Sequence, residues 1–321
     1  KNMVWIIGKC IITFKELWRI VADDRDKIKQ LKTVHRTVLS HAWQLKTDHK
    51  TVLSHVWQLK TALAEYTSKD CIVAFSGGVD SALLLKMTCE AARRNDGKVY
   101  AVTMQTKLHP VKEITHAQAV ADEIGAEHLV ITVDELSEAG IEQNPVDRCY
   151  RCKKHLFTRI LEKAEELHVA HILEGTNTDD LRMYRPGLRA IQELGIHSPL
   201  MEAGMSKDEV RRLAGEYGLS VSERPAMPCL ATRFPYGTYL TYEMMERVEE
   251  GETYLRSLGF YNVRLRVHEN SARIEVDEES FKKLMDCRNE IITFLKKLKF
   301  DYITLDLEGF RSGSMDIHIE K

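Results

Sequence analysis

The chain changes its hydrophobic period along its length. From Lys69 onward, short continuous apolar runs alternate with longer amphipathic stretches. Cys71-Ile-Val-Ala-Phe75 is one such run; it breaks at Gly77-Gly78, and residues 80–94 then place Leu84, Met87 and Ala91 on one side at helical spacing. This reads as strand, glycine turn, helix. The alternation repeats, with a strand over 99–103 and a helix over 111–124, then a strand over 128–132 and a helix over 153–168. A strand over 171–174 leads into the polar run Asn177-Thr-Asp-Asp180, and Ser198-Pro-Leu-Met201 precedes a helix over 207–217. Strands alternating with helices predict an α/β fold with a doubly wound, mostly parallel sheet.

After about Pro235 the order differs. A charged helix over 242–258 precedes strand-like residues 262–267 and 272–276, which flank the polar turn Glu269-Asn270-Ser271. A helix over 278–299, a strand over 302–306 and a terminal alternating run over 315–319 follow, which predicts a smaller C-terminal α+β domain. Before residue 66 the character is different again. Thr37-Val-Leu-Ser-His-Ala-Trp-Gln-Leu-Lys-Thr47 recurs almost unchanged as Thr51-Val-Leu-Ser-His-Val-Trp-Gln-Leu-Lys-Thr61. That shift is two heptads, so Val38, Trp43, Val52 and Trp57 line one side of a continuous helix, and two copies are too few for a solenoid. The expected organisation is a helical extension over 1–65, an α/β domain over 66–235 and an α+β domain over 236–321.

Composition agrees with this division. At ~150 residues per domain, 321 residues suggest about two domains. The 46 Lys and Arg against 48 Asp and Glu give a net charge of −2, which argues against nucleic acid as a partner. With 44% hydrophobic residues, 7 Pro and 17 Gly, disordered and fibrous classes are excluded. The apolar stretch 3–14 is interrupted by Lys9, is shorter than the ~20 residues of a membrane span and lacks a signal-peptide cleavage site. Seven cysteines at uneven spacing do not form a secreted disulfide framework. The expectation is a cytoplasmic protein without membrane contact.

Candidate chemistry begins at Ser76-Gly-Gly-Val-Asp-Ser81, at the carboxyl end of a strand and the start of a helix. Glycines admit a phosphate close to the backbone, while N–H groups, the helix N-terminus and two hydroxyls offer hydrogen bonds. The complete string resembles the PP-loop of the ATP pyrophosphatase superfamily, whose members cleave ATP between the α and β phosphates and adenylate their substrate. The resemblance implies that Ser76, Gly77, Gly78, Asp80 and Ser81 face the pyrophosphate of ATP, with Mg²⁺ as cofactor. Glu174-Gly175-Thr-Asn-Thr-Asp-Asp180 follows another strand, and its paired acids either help hold Mg²⁺ or cap a helix.

Four cysteines, Cys10, Cys71, Cys89 and Cys287, lie singly in strand-like or helix-like runs and read as small buried hydrophobes. Cys149, Cys152 and Cys229 follow strands and therefore approach the ligand edge of the sheet. A Cys-x-x-Cys is compatible with redox, zinc or iron–sulfur roles, and His155 is a candidate fourth ligand for zinc. Three thiolates suit a [4Fe–4S] cluster with one iron left open to an exogenous sulfide.

Together, Phe75-Ser-Gly-Gly-Val-Asp-Ser-Ala-Leu-Leu-Leu-Lys86, Tyr184-Arg-Pro-Gly-Leu188, Arg233-Phe-Pro-Tyr-Gly-Thr238, Tyr254-Leu-Arg-Ser-Leu-Gly-Phe260, Val263-Arg-Leu-Arg266 and Thr304-Leu-Asp-Leu-Glu-Gly-Phe-Arg-Ser-Gly313 resemble the LarE-type pyridinium-3,5-biscarboxylic acid mononucleotide sulfurtransferases. The resemblance covers roughly 70–320. It implies ATP-dependent formation of the thiocarboxylates of the nickel-pincer cofactor of lactate racemase, with a pyridinium mononucleotide as substrate. One version of the family sacrifices a single cysteine; the other holds a [4Fe–4S] cluster that carries the transferable sulfide, and Cys149, Cys152 and Cys229 look like the second set. The resemblance further assigns Thr232, Arg264 and Arg266 to the substrate phosphate, adds Arg311 as a candidate, puts Gly175 at the nucleotide, and places Glu252 and Glu275 near the sulfur of Cys229. Arg264 and Arg266 alternate by two, so they share one strand face. A sulfide source and a homo-oligomer are also implied. The rivals are a PP-loop tRNA thiolase and an amide-forming or nucleotide-binding PP-loop protein with structural zinc.

Overall fold

The computed structural model describes residues 4–7, 10–13, 51–110, 112–182, 185–225 and 227–311. The chain divides into two compact units, Lys1–His55 and Val56–Lys321. In the first unit, β1 (Val4–Ile7) and β2 (Cys10–Thr13) pair antiparallel, with Val4 opposite Thr13. The extension is therefore not helical throughout: two runs rich in β-branched residues, separated by Gly8-Lys9, make a hairpin. Val38, Trp43 and the terminal run 315–319 lie outside the described residues. Residues 51–66 form helix α1. The side of α1 that packs is not the Trp57 side: Leu59 and Leu63 are buried in the core of the larger unit, whereas Trp57 is 68% exposed.

The larger unit starts its sheet at β3 (Cys71–Ala74), which carries the chain into helix α2 (Val79–Ala92). Then come β4 (Val99–Gln105), α3 (Lys112–Ile124), β5 (Glu127–Thr132), α4 (Glu135–Glu138), α5 (Arg148–Glu166) and β6 (His171–Leu173). Hydrogen bonding orders the strands β5-β4-β3-β6, all parallel, as the sequence predicts, and His197 extends the edge by bridging Leu173. Helices cover both faces, which explains the continuous apolar character of β3. Val73 points to the face packed with Leu83, Leu84 and Ala117, and Ile72 to the face packed with Phe157 and Ile160. The chain builds outward from β3 through β4 to β5, then returns to β6 on the other side of β3. That reversal opens a crevice at the carboxyl ends of β3 and β6, where open α/β sheets bind ligands.

Helices α6 (Gly187–Glu193), α7 (Pro199–Glu202) and α8 (Lys207–Glu216) complete this part. Ser206 caps α8 through a reciprocal capping box with Glu209. The C-terminal part packs α9 (Tyr242–Ser257) on a sheet ordered β7 (Val263–His268), β8 (Ser271–Val276), β9 (Tyr302–Leu305). Strands β7 and β8 are antiparallel, and β9 runs parallel to β8. The helical residues expected over 278–299 are interrupted at Cys287, giving α10 (Phe281–Asp286) and α11 (Arg288–Lys297). One apolar cluster joins Leu265, Ile274 and Leu295 of this part to Leu108, Leu136 and Leu230 of the α/β part. Cys71 is buried, which pushes its thiol up to about 12, while Cys89 and Cys287 are half-buried against apolar clusters. Among the described residues, no helix is long and apolar enough to cross a membrane.

Candidate functional site

The turn between β3 and α2 closes on itself with hydroxyls. Ser81 donates to the Gly78 carbonyl at 3.0 Å, the Ser76 and Ser81 hydroxyl oxygens lie 3.1 Å apart, and the Gly78 N–H donates to Ser76 Oγ at 3.3 Å. Gly77 has φ +70°, and a Cβ there would lie 2.9 Å from Ala117 Cα of α3. Position 77 thus requires glycine for both conformation and space. The segment after β6 comes equally close: a Cβ on Gly175 would lie 3.0 Å from the Ser81 nitrogen. The two loops meet across the crevice, and Asn177 Nδ2 donates to Asp80 Oδ1 at 3.0 Å. The other Asp80 oxygen accepts from Lys207 Nζ, at the first turn of α8.

The acids after β6 close their own loop. Asp180 accepts from the Asn177 backbone at 3.1 Å and pairs with Arg185 at 2.8 Å, and Asp179 accepts from the Lys207 backbone at 2.7 Å. These contacts are of the capping kind, one of the two roles the sequence left open. Glu174 is buried, accepting from Thr176 Oγ1 at 2.8 Å and pairing with Lys153 Nζ at 3.3 Å. Among the described residues no three Cys, His, Asp or Glu side chains form a ready metal-binding group. Asp80 is the carboxylate of the phosphate loop, and Mg²⁺ takes one or two protein carboxylates together with substrate phosphates.

The three cysteines gather at the start of α5. Cys149 and Cys152 are one turn apart there, Cys149 exposed and Cys152 half-buried, and Cys229 precedes the 3-10 turn Leu230–Arg233. The thiols are near enough to perturb one another: burial pushes Cys152 up most, followed by the charges of Cys229, Glu135 and Cys149. Burial also raises Cys229, against the lowering effect of Arg148. Arg148 is buried, donates to the Ala231 carbonyl at 3.3 Å and holds Nη2 3.7 Å from Cys149 Sγ. Three thiols beside a guanidinium are soft donors of the kind that bind a metal once deprotonated, although they do not form a ready metal-binding group as they stand. His155 faces elsewhere, its Nε2 3.0 Å from Glu138 Oε2.

Below the cysteines lies a layer of arginines. Arg233 is 1% exposed and grips Glu252, also 1% exposed, through Nε–Oε1 at 2.8 Å and Nη2–Oε2 at 2.9 Å. Its Nη1 donates to the carbonyls of Pro228 at 3.1 Å and Cys229 at 3.2 Å and to Thr232 Oγ1 at 2.8 Å. Burial opposes ionisation of Glu252, but Arg233, Arg256 and the Leu265 N–H outweigh it and hold the carboxyl below its ordinary range. Arg266 pairs with Glu275 at 3.0 Å and donates to the Thr232 carbonyl at 2.8 Å. Arg311 pairs with Asp306 and Glu308.

Arg264 is the exception. It shares the β7 face with Arg266 but has no salt bridge among the described residues; it donates to its neighbour's carbonyl and lies 5.0 Å over the Phe310 ring. Burial, then the charges of Arg233, Arg266 and Arg256, lower its pKa to about 10, against the pull of Glu252. It is a cation at neutral pH with no carboxylate in direct contact among the described residues, an electrostatic condition that suits a phosphate.

Sequence reasoning missed Lys207, Arg233, Arg148 and Lys153 as members of this region. A capping box at Ser206 was the available signal for Lys207, because it starts a helix at the ligand edge. Arg233 lay inside a recognised string, but nothing in the string pairs it with Glu252.

The NAD synthase family matches residues 52–156. The chain is 41% identical over 249 residues, 78% of its length and 90% of the relative's, to the pyridinium-3,5-bisthiocarboxylic acid mononucleotide synthase of Lactiplantibacillus plantarum. It is 39% identical over 247 residues to an uncharacterized protein of Synechocystis, covering 76% of this chain and 91% of that one. A tRNA-specific 2-thiouridylase of Rickettsia massiliae is 26% identical over 193 residues, covering 48% of this chain and 51% of the relative.

Proposed function

The chain belongs to the family of the pyridinium-3,5-bisthiocarboxylic acid mononucleotide synthase, and on that premise we propose that it is an ATP-dependent sulfurtransferase acting on the carboxylates of pyridinium-3,5-biscarboxylic acid mononucleotide. The products are thiocarboxylates, the groups needed for the nickel-pincer cofactor of lactate racemase. The observation that carries this reading is the pairing of a glycine-hydroxyl loop at the sheet crevice with Arg264, a half-buried guanidinium that has no salt bridge among the described residues.

The chemistry follows from the residues. A carboxylate is a poor electrophile, so its oxygen first attacks the α-phosphorus of ATP; the α–β bridging bond breaks and pyrophosphate leaves with its electrons. The Ser76–Ser81 loop and Lys207 offer N–H, hydroxyl and ammonium donors to that departing charge. Asp80 is the residue suited to Mg²⁺, which neutralises phosphate charge when bound. Arg264, with Thr232 and Arg266 beside it, holds the substrate phosphate and so orients the activated carbonyl. Sulfur attack on that carbonyl forms the C–S bond and breaks the C–O bond to AMP.

Cys149, Cys152 and Cys229 are the proposed ligands of a [4Fe–4S] cluster, which when bound supplies a sulfide nucleophile. Arg233 fixes the Cys229 backbone, and Glu252 keeps Arg233 in place. Glu275 does the same for Arg266. A cytoplasmic setting belongs to the proposal, since a reducing compartment keeps a thiol such as exposed Cys149 unpaired.

The test is an anaerobic incubation of the iron-reconstituted protein with ATP and the biscarboxylated nucleotide, with tRNA in a parallel arm. AMP and pyrophosphate should form only with the nucleotide. Cys229→Ala should still consume ATP but transfer no sulfur; full transfer by that variant would remove Cys229 from the sulfur site.

A further inference from the structure

Helix α3 does more than cover the sheet. The Cα of its residue Ala117 would lie only 2.9 Å from a Cβ on Gly77, and the preceding residue, His116, brings Nε2 to 3.2 Å from the Gly77 carbonyl oxygen. A carbonyl only accepts, so the ring nitrogen facing it carries the hydrogen. The C=O of Gly77 and the N–H of Gly78 belong to one peptide unit, and in a trans peptide they point in opposite directions. Holding the Gly77 oxygen against α3 therefore directs the Gly78 N–H away from α3. That N–H now donates to Ser76 Oγ, inside the turn that faces the crevice.

We propose that His116 is a positioning residue of the phosphate loop, which by donating to the Gly77 carbonyl keeps the Gly78 N–H turned toward the pyrophosphate portion of ATP. The inference deepens the ATP reading above and rests on it. Glycine at 77 and 78 lets this peptide flip at little cost, so the loop needs an external restraint, and the sequence supplies one from a helix thirty-odd residues away. The environment of His116 suits the role. Burial and Arg224 hold the imidazole below its usual pKa, against Glu113, the Gly77 carbonyl and Glu123, so the ring is neutral and keeps a single N–H to place. Arg224 is itself tied to Glu113 at 2.7 Å, one turn before His116 on the same helix.

The test compares His116→Leu, which removes the donor, with His116→Gln, whose amide reaches a similar point. Calorimetric titration with α,β-methylene-ATP and with AMP separates loop orientation from general damage, because AMP lacks the β and γ phosphates. His116→Leu should weaken the ATP analogue about tenfold and leave AMP within about twofold, while His116→Gln stays within about threefold of wild type for both. The proposal is overturned if His116→Leu binds the analogue as wild type does, if it loses AMP in the same proportion, or if His116→Gln fails like the leucine variant. Wild-type protein that binds no analogue would instead overturn the ATP reading, and this inference with it.

Discussion

The crevice at β3 and β6 and the arginine layer around β7 and β8 are both proposed phosphate sites, yet they are built on opposite plans. In the crevice the close contacts are backbone: Gly77 abuts Ala117, Gly175 abuts Ser81, and the Asp80 charge is met by Lys207. In the arginine layer the contacts are buried charge: Arg233 with Glu252, Arg266 with Glu275, and Arg264 with no salt bridge among the described residues. A loop of the first kind tolerates little added volume, because its neighbours are backbone atoms that do not give way. A layer of the second kind tolerates neutral substitution only where the charge removed was not balancing another. The difference teaches that the residues most costly to change and the residues that bind ligand need not be the same.

Substitutions put this contrast at risk in descending order of effect. Arg233→Met should be the most damaging, because it removes the buried partner of Glu252 and leaves that carboxylate to the half-buried Arg256: up to about 3–5 kcal/mol of stability should be lost in urea denaturation. Adding Glu252→Gln to it should return part of that loss. The pH dependence has the same origin. The carboxyl of Glu252 is held below its ordinary range when folded, so its contribution is present at neutral pH and disappears as pH falls through that lowered value. Glu252→Gln should therefore flatten the acid limb of a stability–pH curve. Gly175→Ala comes next, with about 1–3 kcal/mol lost and weaker binding of an ATP analogue, since its new methyl would press on the Ser81 nitrogen.

Arg264→Leu should then separate binding from stability. Removing an unbalanced half-buried cation should change denaturation by less than about 1 kcal/mol, yet the loss of a charge-assisted contact should weaken the substrate phosphate about tenfold or more. Equal losses for Arg233→Met and Arg264→Leu would erase the contrast. The smallest effect belongs to His155→Ala. Its ring is spent on Glu138, so stability should shift by no more than ~0.5 kcal/mol and the iron bound per chain should be unchanged.

Much of the architecture was legible in the sequence because burial leaves a period. The run Cys71 to Ala74 is apolar at every position because helices cover both sides of its strand, and the break at Gly77-Gly78 marked the turn that approaches ligand. The common face of Arg264 and Arg266 was readable from their spacing; that Arg266 is committed to Glu275 while Arg264 is not was unreadable. Pairing is decided across space: Glu252 meets Arg233 from a different element, and Lys207 reaches Asp80 from the other side of the crevice. The repeat at 37–61, whose first copy lies outside the described residues, does not mark the side of α1 that enters the core. Its heptad spacing drew attention to Trp57, whereas the core selected Leu59 and Leu63 four residues apart on another side of α1. At the N-terminus, β-branched residues on each side of Gly8-Lys9 were the overlooked hairpin signal.

The central claim is that sulfur moves from the cysteine site to an ATP-activated carboxylate. Its most direct test is the mass of the nucleotide product after anaerobic turnover of the reconstituted protein with ATP, the biscarboxylated pyridinium mononucleotide and isotopically labelled sulfide. Replacement of carboxylate oxygen by labelled sulfur, with one AMP released per sulfur gained, is the expected result. AMP formation with an unchanged nucleotide, or label entering tRNA instead, would contradict it.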